Sequence, residues 1–151
     1  GIIVKGIHGL AVRFSKCCSP VPGDEIVGFV TRGRGITIHR TDCINVLNLP
    51  EIERSRLIDA EWQGVEEDNS AATYSTEISI FANNRIGMFV DISKIFTERE
   101  IDIKTMNSRV NKQGKATITM SFDIHGIEEL NNLMAKLRQI DGVLDIERTT
   151  G

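Results

Sequence analysis

The sequence predicts an α+β protein in two parts, a small β-rich module followed by a β-α-β-β-α-β module. Three observations carry this. Residues 116–124 alternate apolar and polar without a break. On either side of that run, residues 87–100 and 127–140 repeat apolar side chains at helical spacing. All three cysteines and one histidine at ligand spacing fall in the first third, which has few aromatics. Between the parts, GVEEDNSAAT (residues 64–73) is acidic and small, with Val65 its one apolar residue larger than Ala, so it reads as a linker. The modules are then residues 1–63 and 74–151.

In the second module Thr76, Ile78 and Ile80 give a half-buried strand over 74–82. Met88, Phe89, Ile92, Ile95 and Phe96 mark the core face of a first helix. Residues 101–111 return to β-favouring types, and Lys112-Gln113-Gly114 turns the chain. Ala116, Ile118, Met120, Phe122 and Ile124 then face a core, while Thr117, Thr119, Ser121 and Asp123 face outward. A second helix carries Ile127, Leu130, Leu133, Met134, Leu137 and Ile140, with Glu128 and Glu129 early and Lys136 and Arg138 late, as the helix dipole prefers. Asp141-Gly142 ends it, and 143–149 is a last strand. This order is a ferredoxin-like split βαβ sheet backed by two helices.

The first module is more broken. Strands are expected at 2–4 and 10–14, then a rigid turn over Ser19-Pro20-Val21-Pro22-Gly23-Asp24. Residues 25–31 and 36–39 flank Arg32-Gly33-Arg34-Gly35 as a hairpin. A short helix is expected over 42–47 and a closing strand over 56–62.

Cys17 and Cys18 are adjacent, and His39 stands four residues before Cys43. Thiolates and an imidazole at two loci suit tetrahedral zinc, with His39 and Cys43 facing one ion if a helical turn joins them. The competing reading makes the cysteines small buried apolar residues. A module of about sixty residues gains most from a closed structural metal, which favours zinc. A cysteine enzyme lacks any marked orienting group or oxyanion hole. His8 and His125 have no acidic or thiol neighbour at ligand spacing and read as surface residues.

Eighteen basic against twenty-one acidic residues give a net charge of -3, which excludes a uniformly basic nucleic-acid binder. Residues 1–50, however, hold six basic and three acidic side chains. Arg32 and Arg34 at the hairpin tip, with Arg13, Lys16 and Arg40, form a candidate contact for structured RNA, set against the plainer reading of a solvated turn. Aromatics are only 5% of the chain, too few for a base-stacking platform. No apolar run reaches the ~20 residues of a membrane span. An odd cysteine count without a secretion signal points to a reducing, cytoplasmic setting. The chain opens on Gly1 rather than Met, as expected of a piece of a longer protein.

Residues 4–43, VKGIHGLAVRFSKCCSPVPGDEIVGFVTRGRGITIHRTDC, contain CC-x-P-x-PGD-x-I-x-G followed by TRGRG-x-x-IHR-x-DC. This stretch resembles the zinc-finger region, or ribosome-intersubunit domain, of RelA/SpoT-type (p)ppGpp synthetase/hydrolases. The second module resembles the ACT domain that ends those proteins, with Asn84-Arg85-Ile86-Gly87-Met88-Phe89 in place of the usual D-R-x-G-L-L. The resemblance implies zinc on Cys17, Cys18, His39 and Cys43. It also implies docking to ribosomal RNA near the tRNA-loaded A site through Lys16, Arg32, Arg34 and Arg40. It implies a non-catalytic regulatory fragment of an enzyme, a GTP pyrophosphokinase, whose catalytic domains are further partners. In the ACT loop, free N–H groups at a helix start suit a carboxylate, and Ile86 and Met88 suit a branched-chain amino acid, with Asn84, Gly87 and Met88 nearest it. The open polar face of Thr117, Thr119 and Ser121 and the unpaired edges imply a homodimer through that module. The alternative is a stand-alone amino-acid-binding regulatory protein whose zinc serves only folding.

Overall fold

The computed structural model describes residues 2–4, 11–63 and 72–149, which group into two compact units, one up to residue 72 and one over Thr73–Thr149. His8 and nearly all of the expected linker lie outside the described residues.

The first unit is a five-stranded sheet in the order β1-β5-β3-β4-β2. Its strands are β1 (Ile2–Val4), β2 (Val12–Phe14), β3 (Ile26–Val30), β4 (Ile36–Arg40) and β5 (Leu57–Trp62). All neighbours are antiparallel except β2 and β4, which run parallel. Between β4 and β5 lie a single helical turn, α1 (Ile44–Leu47), and a 3₁₀ segment, Glu51–Arg56, that the sequence pattern did not suggest. The period of two in β4 decides the architecture. Ile36 and Ile38 are buried against Ile2, Ile26, Val30, Ile58 and Ala60, so Thr37 and His39 must point to the other face. On that face Cys18, Cys43 and Val46 pack with Cys17, Val27 and Leu57. The sheet is strongly coiled: Phe14 on β2 stacks on Trp62 of β5 at 5.5 Å although two strands separate them in the sheet.

The tip between β3 and β4 is closed by Thr31, whose N–H and hydroxyl both donate to the Gly35 carbonyl. Gly33 and Gly35 both have positive φ, 84° and 80°. Only Gly35 is also crowded, since a Cβ there would fall 2.2 Å from the Ala11 carbonyl oxygen.

The second unit is the expected antiparallel sheet, in the order β7-β8-β6-β9, with two helices. Its elements are β6 (Tyr74–Asn83), α2 (Met88–Glu98), β7 (Ile103–Val110), β8 (Lys115–Ile124), α3 (Ile127–Arg138) and β9 (Val143–Arg148). β6 and β8 pair without a break from Tyr74↔Ile124 to Asn83↔Lys115. Ile78, Ile80, Ile118, Met120 and Phe122 meet Ile92 and Phe96 of α2 and Leu130, Leu133 and Leu137 of α3 in a closed core. Phe96 meets Phe122 edge-on, with ring centroids 5.0 Å apart. Phe89 departs from its expected place on the core face: it is 44% exposed, beside Val90 at 68%. β7 is an edge strand exposed from Lys104 to Val110. Among the described residues no helix is long and apolar enough to cross a membrane.

The two tip glycines give a test. Gly33→Ala is expected to cost about 1–2 kcal/mol, the left-handed strain alone. Gly35→Ala adds a clash that β2 or the tip must yield to, and should cost clearly more. Urea denaturation of the chain carrying each substitution measures the difference, and equal costs would contradict the described contact between Gly35 and Ala11.

Candidate metal centre

The centre is assembled by the C-terminal end of β4, the turn that follows it and the loop after β2. Parallel pairing of β2 with β4 ends with the Ser15 N–H donating to the Ile38 carbonyl, which delivers Cys17 and Cys18 beside His39. Cys43 returns to the same place through a tight turn, its N–H donating to the Arg40 carbonyl. His39 is therefore on a strand and Cys43 at the start of α1, and no helical turn joins them as the spacing had suggested.

The ligand atoms of Cys17, Cys18, His39 and Cys43 all lie within 4.8 Å of one another. Cys17 Sγ is 3.4 Å from His39 Nδ1 and 3.4 Å from Cys43 Sγ, and Cys18 Sγ is 3.9 Å from His39 Nδ1. Three sulfurs and a ring nitrogen converging on one point can hold a metal ion. Coordination through Nδ1 requires the tautomer with its proton on Nε2.

Supporting groups hold Cys17 and Cys18. The Arg40 N–H donates to Cys18 Sγ at 3.3 Å, and the Arg40 guanidinium donates to the Cys18 carbonyl and to Asp42 Oδ2 at 2.6 Å. Ser15 Oγ lies 2.7 Å from Cys17 Sγ. The sequence reading missed Ser15 in this role, although a hydroxyl two residues before a paired cysteine is a visible signal. Burial pushes the Cys18 thiol up to about 12 and raises Cys43 as well. Burial also acts upward on Cys17, but hydrogen bonds from Ser15, Asn45 and the other two thiols outweigh it and hold that thiol below its usual range. Burial lowers His39, keeping the imidazole neutral.

The remaining candidates are placed differently. Arg32 and Arg34 are exposed at the tip, and Arg13 donates to the Arg34 carbonyl at 3.1 Å. Lys16 is exposed as well. Arg40 is not part of that surface: it is 7% exposed and engaged with Cys18 and Asp42, because a side chain in phase with Ile36 and Ile38 turns inward. In the second unit Asn84 is exposed, with its N–H donating to the Gly114 carbonyl. Arg85 donates to Asp91 Oδ2 at 2.7 Å and to the Asp141 carbonyl at 2.8 Å. Gly87 takes φ 87° at the helix start, Ile86 is fully exposed and Met88 is buried. Met88 thus belongs to the core under the loop, and Ile86 and Phe89 are its exposed apolar groups. His125 does have an acidic neighbour, Glu129 on the next helical turn, with Nδ1 and Oε2 2.8 Å apart. Both side chains are substantially exposed, so the pair contributes little.

Residues 2–63 match the RelA/SpoT RIS domain, and residues 70–148 match the ACT domain family. The chain is 36% identical over 151 residues to a GTP pyrophosphokinase of Escherichia coli K12, covering 99% of this chain and 20% of that protein. It is 31% identical over 150 residues to a GTP pyrophosphokinase of Streptomyces coelicolor, covering 99% of this chain and 17% of that one. The chain thus spans about a fifth of the length of these curated relatives, over the C-terminal region that holds the RIS and ACT domains, with no catalytic domain. Among solved structures, the ACT domain of GTP pyrophosphokinase from Chlorobium tepidum aligns over 51% of this chain and 99% of its own length, at 26% identity and a TM-score of 0.46.

The burial of the donor groups predicts a pH profile for the first unit held metal-free in chelator. His39, depressed below 6.5 by burial, stays neutral in the fold while the unfolded chain takes up a proton. Its stabilising contribution is therefore present above pH 6.5 and lost as pH falls. Cys18, at about 12, keeps its proton while unfolded thiols ionise near 9.0, so its contribution is full below pH 9.0 and lost as pH rises toward 12. Cys43 acts in the same direction and Cys17 opposes them. Denaturation across pH should show greatest stability between about 7 and 9, and an optimum well outside that window would contradict a neutral His39 and a protonated Cys18 in the metal-free fold.

Proposed function

The chain belongs to the RelA/SpoT family, as its RIS and ACT region, and from that premise we propose that it is the regulatory part of a GTP pyrophosphokinase. In this reading the longer protein makes and hydrolyses (p)ppGpp in the cytoplasm, residues 1–63 dock ribosomal RNA near the tRNA-loaded A site, and residues 74–151 report amino-acid state to the catalytic domains. Residues 64–73 link the two.

The metal is zinc. Tetrahedral zinc with sulfur at about 2.3 Å and nitrogen at about 2.0–2.1 Å has sulfur–sulfur edges of about 3.8 Å and sulfur–nitrogen edges of about 3.6 Å. The two sulfur–nitrogen separations, 3.4 Å from Cys17 and 3.9 Å from Cys18 to His39, lie on either side of the ideal edge, and the Cys17–Cys43 sulfur separation of 3.4 Å is about 0.4 Å shorter than its own. A closed set of four protein donors leaves no position for substrate, so the ion supplies folding energy and no chemistry.

The observation that carries the RNA reading is the separation of roles along β4. Its C-terminal end is clamped at the cysteines, while its N-terminal end presents Arg32, with a side chain 84% exposed, and Arg34 beside Arg13. Guanidinium groups on a braced turn recognise phosphate by charge and shape without reading bases. Ribosome docking and an ACT ligand influence a distant catalytic domain only through unequal affinity for its two states.

For the ACT unit we propose a branched-chain amino acid at Asn84–Phe89, its carboxylate on the N–H groups at the start of α2, in a homodimer that covers the β7 edge. The exposed apolar groups Ile86 and Phe89 support an aliphatic side chain over a charged one.

Two tests follow. The chain with Arg32→Glu and Arg34→Glu should retain about one zinc and its fold yet lose about tenfold or more in ribosome affinity, with a shallower salt dependence. Cosedimentation with ribosomes at two salt concentrations, alongside metal analysis, reads both, and unchanged binding with zinc retained would overturn the docking surface and favour the stand-alone regulator. NMR titration with valine, leucine, isoleucine and lysine should move resonances of residues 84–89 for the first three only. A preference for lysine, or shifts confined to another surface, would overturn the assignment. Gly87→Val is a poor probe here, because φ 87° strains any branched residue whatever the ligand does.

A further inference from the structure

We propose that Cys17 and Cys43 form a disulfide when the chain meets a hydroperoxide, which makes the metal centre an oxidation site with one defined product. The inference rests on the zinc reading only for the identity of the ion released. The two sulfurs lie 3.4 Å apart although their residues are 26 positions apart in sequence. Closing them to the bond length of about 2.05 Å asks for a shift of about 1.4 Å, within reach of side-chain rotation on a loop and a helix start.

The alternatives are less favourable. Cys17 is the half-buried member of the three, whereas Cys18 and Cys43 are 1% and 0% exposed, so an oxidant in solution reaches Cys17 first. Cys18 is its sequence neighbour, and a bond between neighbours closes a strained eight-membered ring. The Cys18 sulfur is in addition held by the Arg40 N–H at 3.3 Å. Cys43, with its sulfur already in contact, is the resolving residue.

The chemistry balances as follows. The Cys17 thiolate attacks one peroxide oxygen, the O–O bond breaks, and hydroxide leaves and takes up a proton to become water. The sulfur, oxidised by two electrons, is then a sulfenic acid. The Cys43 thiolate attacks that sulfur, the S–S bond forms, and a second hydroxide leaves as water. Two thiolates, one hydrogen peroxide and two protons thus give one disulfide and two waters. The ion loses two of its four donors and is released. The new bond joins the segments that the metal had joined, the loop after β2 and the start of α1, so one clip replaces another.

The experiment treats the zinc-loaded 151-residue chain with stoichiometric hydrogen peroxide and follows zinc with a chromogenic chelator. Free thiols are then alkylated, and fragmentation of the linked tryptic peptides 17–32 and 41–54 locates the bond. The expected result is release of about one zinc, a Cys17–Cys43 bond, and recovery of both on adding a dithiol and zinc. Thermal unfolding of the oxidised chain should lie above that of the reduced chain in chelator. A Cys17–Cys18 or Cys18–Cys43 bond, irreversible over-oxidation of Cys17, or retention of zinc and all three thiols overturns the proposal. Absence of zinc before oxidation would fail the zinc reading alone, and mapping the metal-free thiols would still decide the disulfide. In Cys43→Ser, oxidation should stop at a Cys17 sulfenic acid trapped by dimedone.

Discussion

The convergence of Cys17, Cys18, His39 and Cys43 behind β4 is the constraint on which the first unit depends. That unit has a narrow apolar core, in which Ile36 and Ile38 of β4 are fully buried. The opposite face of the same strand would be left half wet without something to gather the loop after β2 and the start of α1. Thiols and an imidazole perform that gathering, and burial in turn sets their protonation, holding Cys18 and Cys43 as thiols and His39 neutral. A metal must displace those protons, so its affinity rises with pH and its binding energy becomes folding energy.

The second unit follows a different logic. Its sheet and both helices contribute fully buried side chains, from Ile78 and Phe122 to Ile92 and Leu133. Such a core does not wait for a ligand. The loop from Asn84 to Phe89 is held by internal hydrogen bonds of Arg85 to Asp91 and to the Asp141 carbonyl, so a ligand there meets a formed surface. The exposed edge of β7, by contrast, is unfinished structure, since its outward N–H and C=O groups form a template for another strand.

How much was legible depended on whether a local pattern or a distant partner decides a residue. The alternation over Ala116–Ile124 appears in the structure residue for residue because sheet and core impose the same period. The four donor residues were visible by type and spacing. Arg40 was not, because its neighbours suggest an exposed basic cluster while its place in the buried phase of β4 turns it inward, where the Cys18 carbonyl and Asp42 take its guanidinium. The parallel pairing of β2 with β4 is set by long-range contacts, and no local signal marks it. The 3₁₀ segment Glu51–Arg56 carries neither helical periodicity nor strand alternation, so nothing in its own residues announced it. Phe89 fits the helical spacing yet lies outside the stripe that α2 buries, a one-residue difference that helical periodicity does not resolve.

β4 ties the two proposed activities of the first unit together. From Ile36 to His39 the strand spans roughly 10 Å at its normal rise, with the cationic tip just before one end and the donor cluster at the other. A strand is stiff along its length, and its register is pinned by Ile36 and Ile38 in the core, because a slip of one residue would carry His39 inward and both isoleucines out. A change at the cysteines therefore reaches the arginines only if it alters the join rather than the strand. Exchange of a metal for a Cys17–Cys43 bond preserves that join, whereas removal of the metal from reduced thiols leaves it to the contacts among the thiols and the imidazole alone. The tip is then expected to distinguish oxidised from merely metal-free protein, because only the latter lacks a bond between the loop after β2 and the start of α1 behind β4.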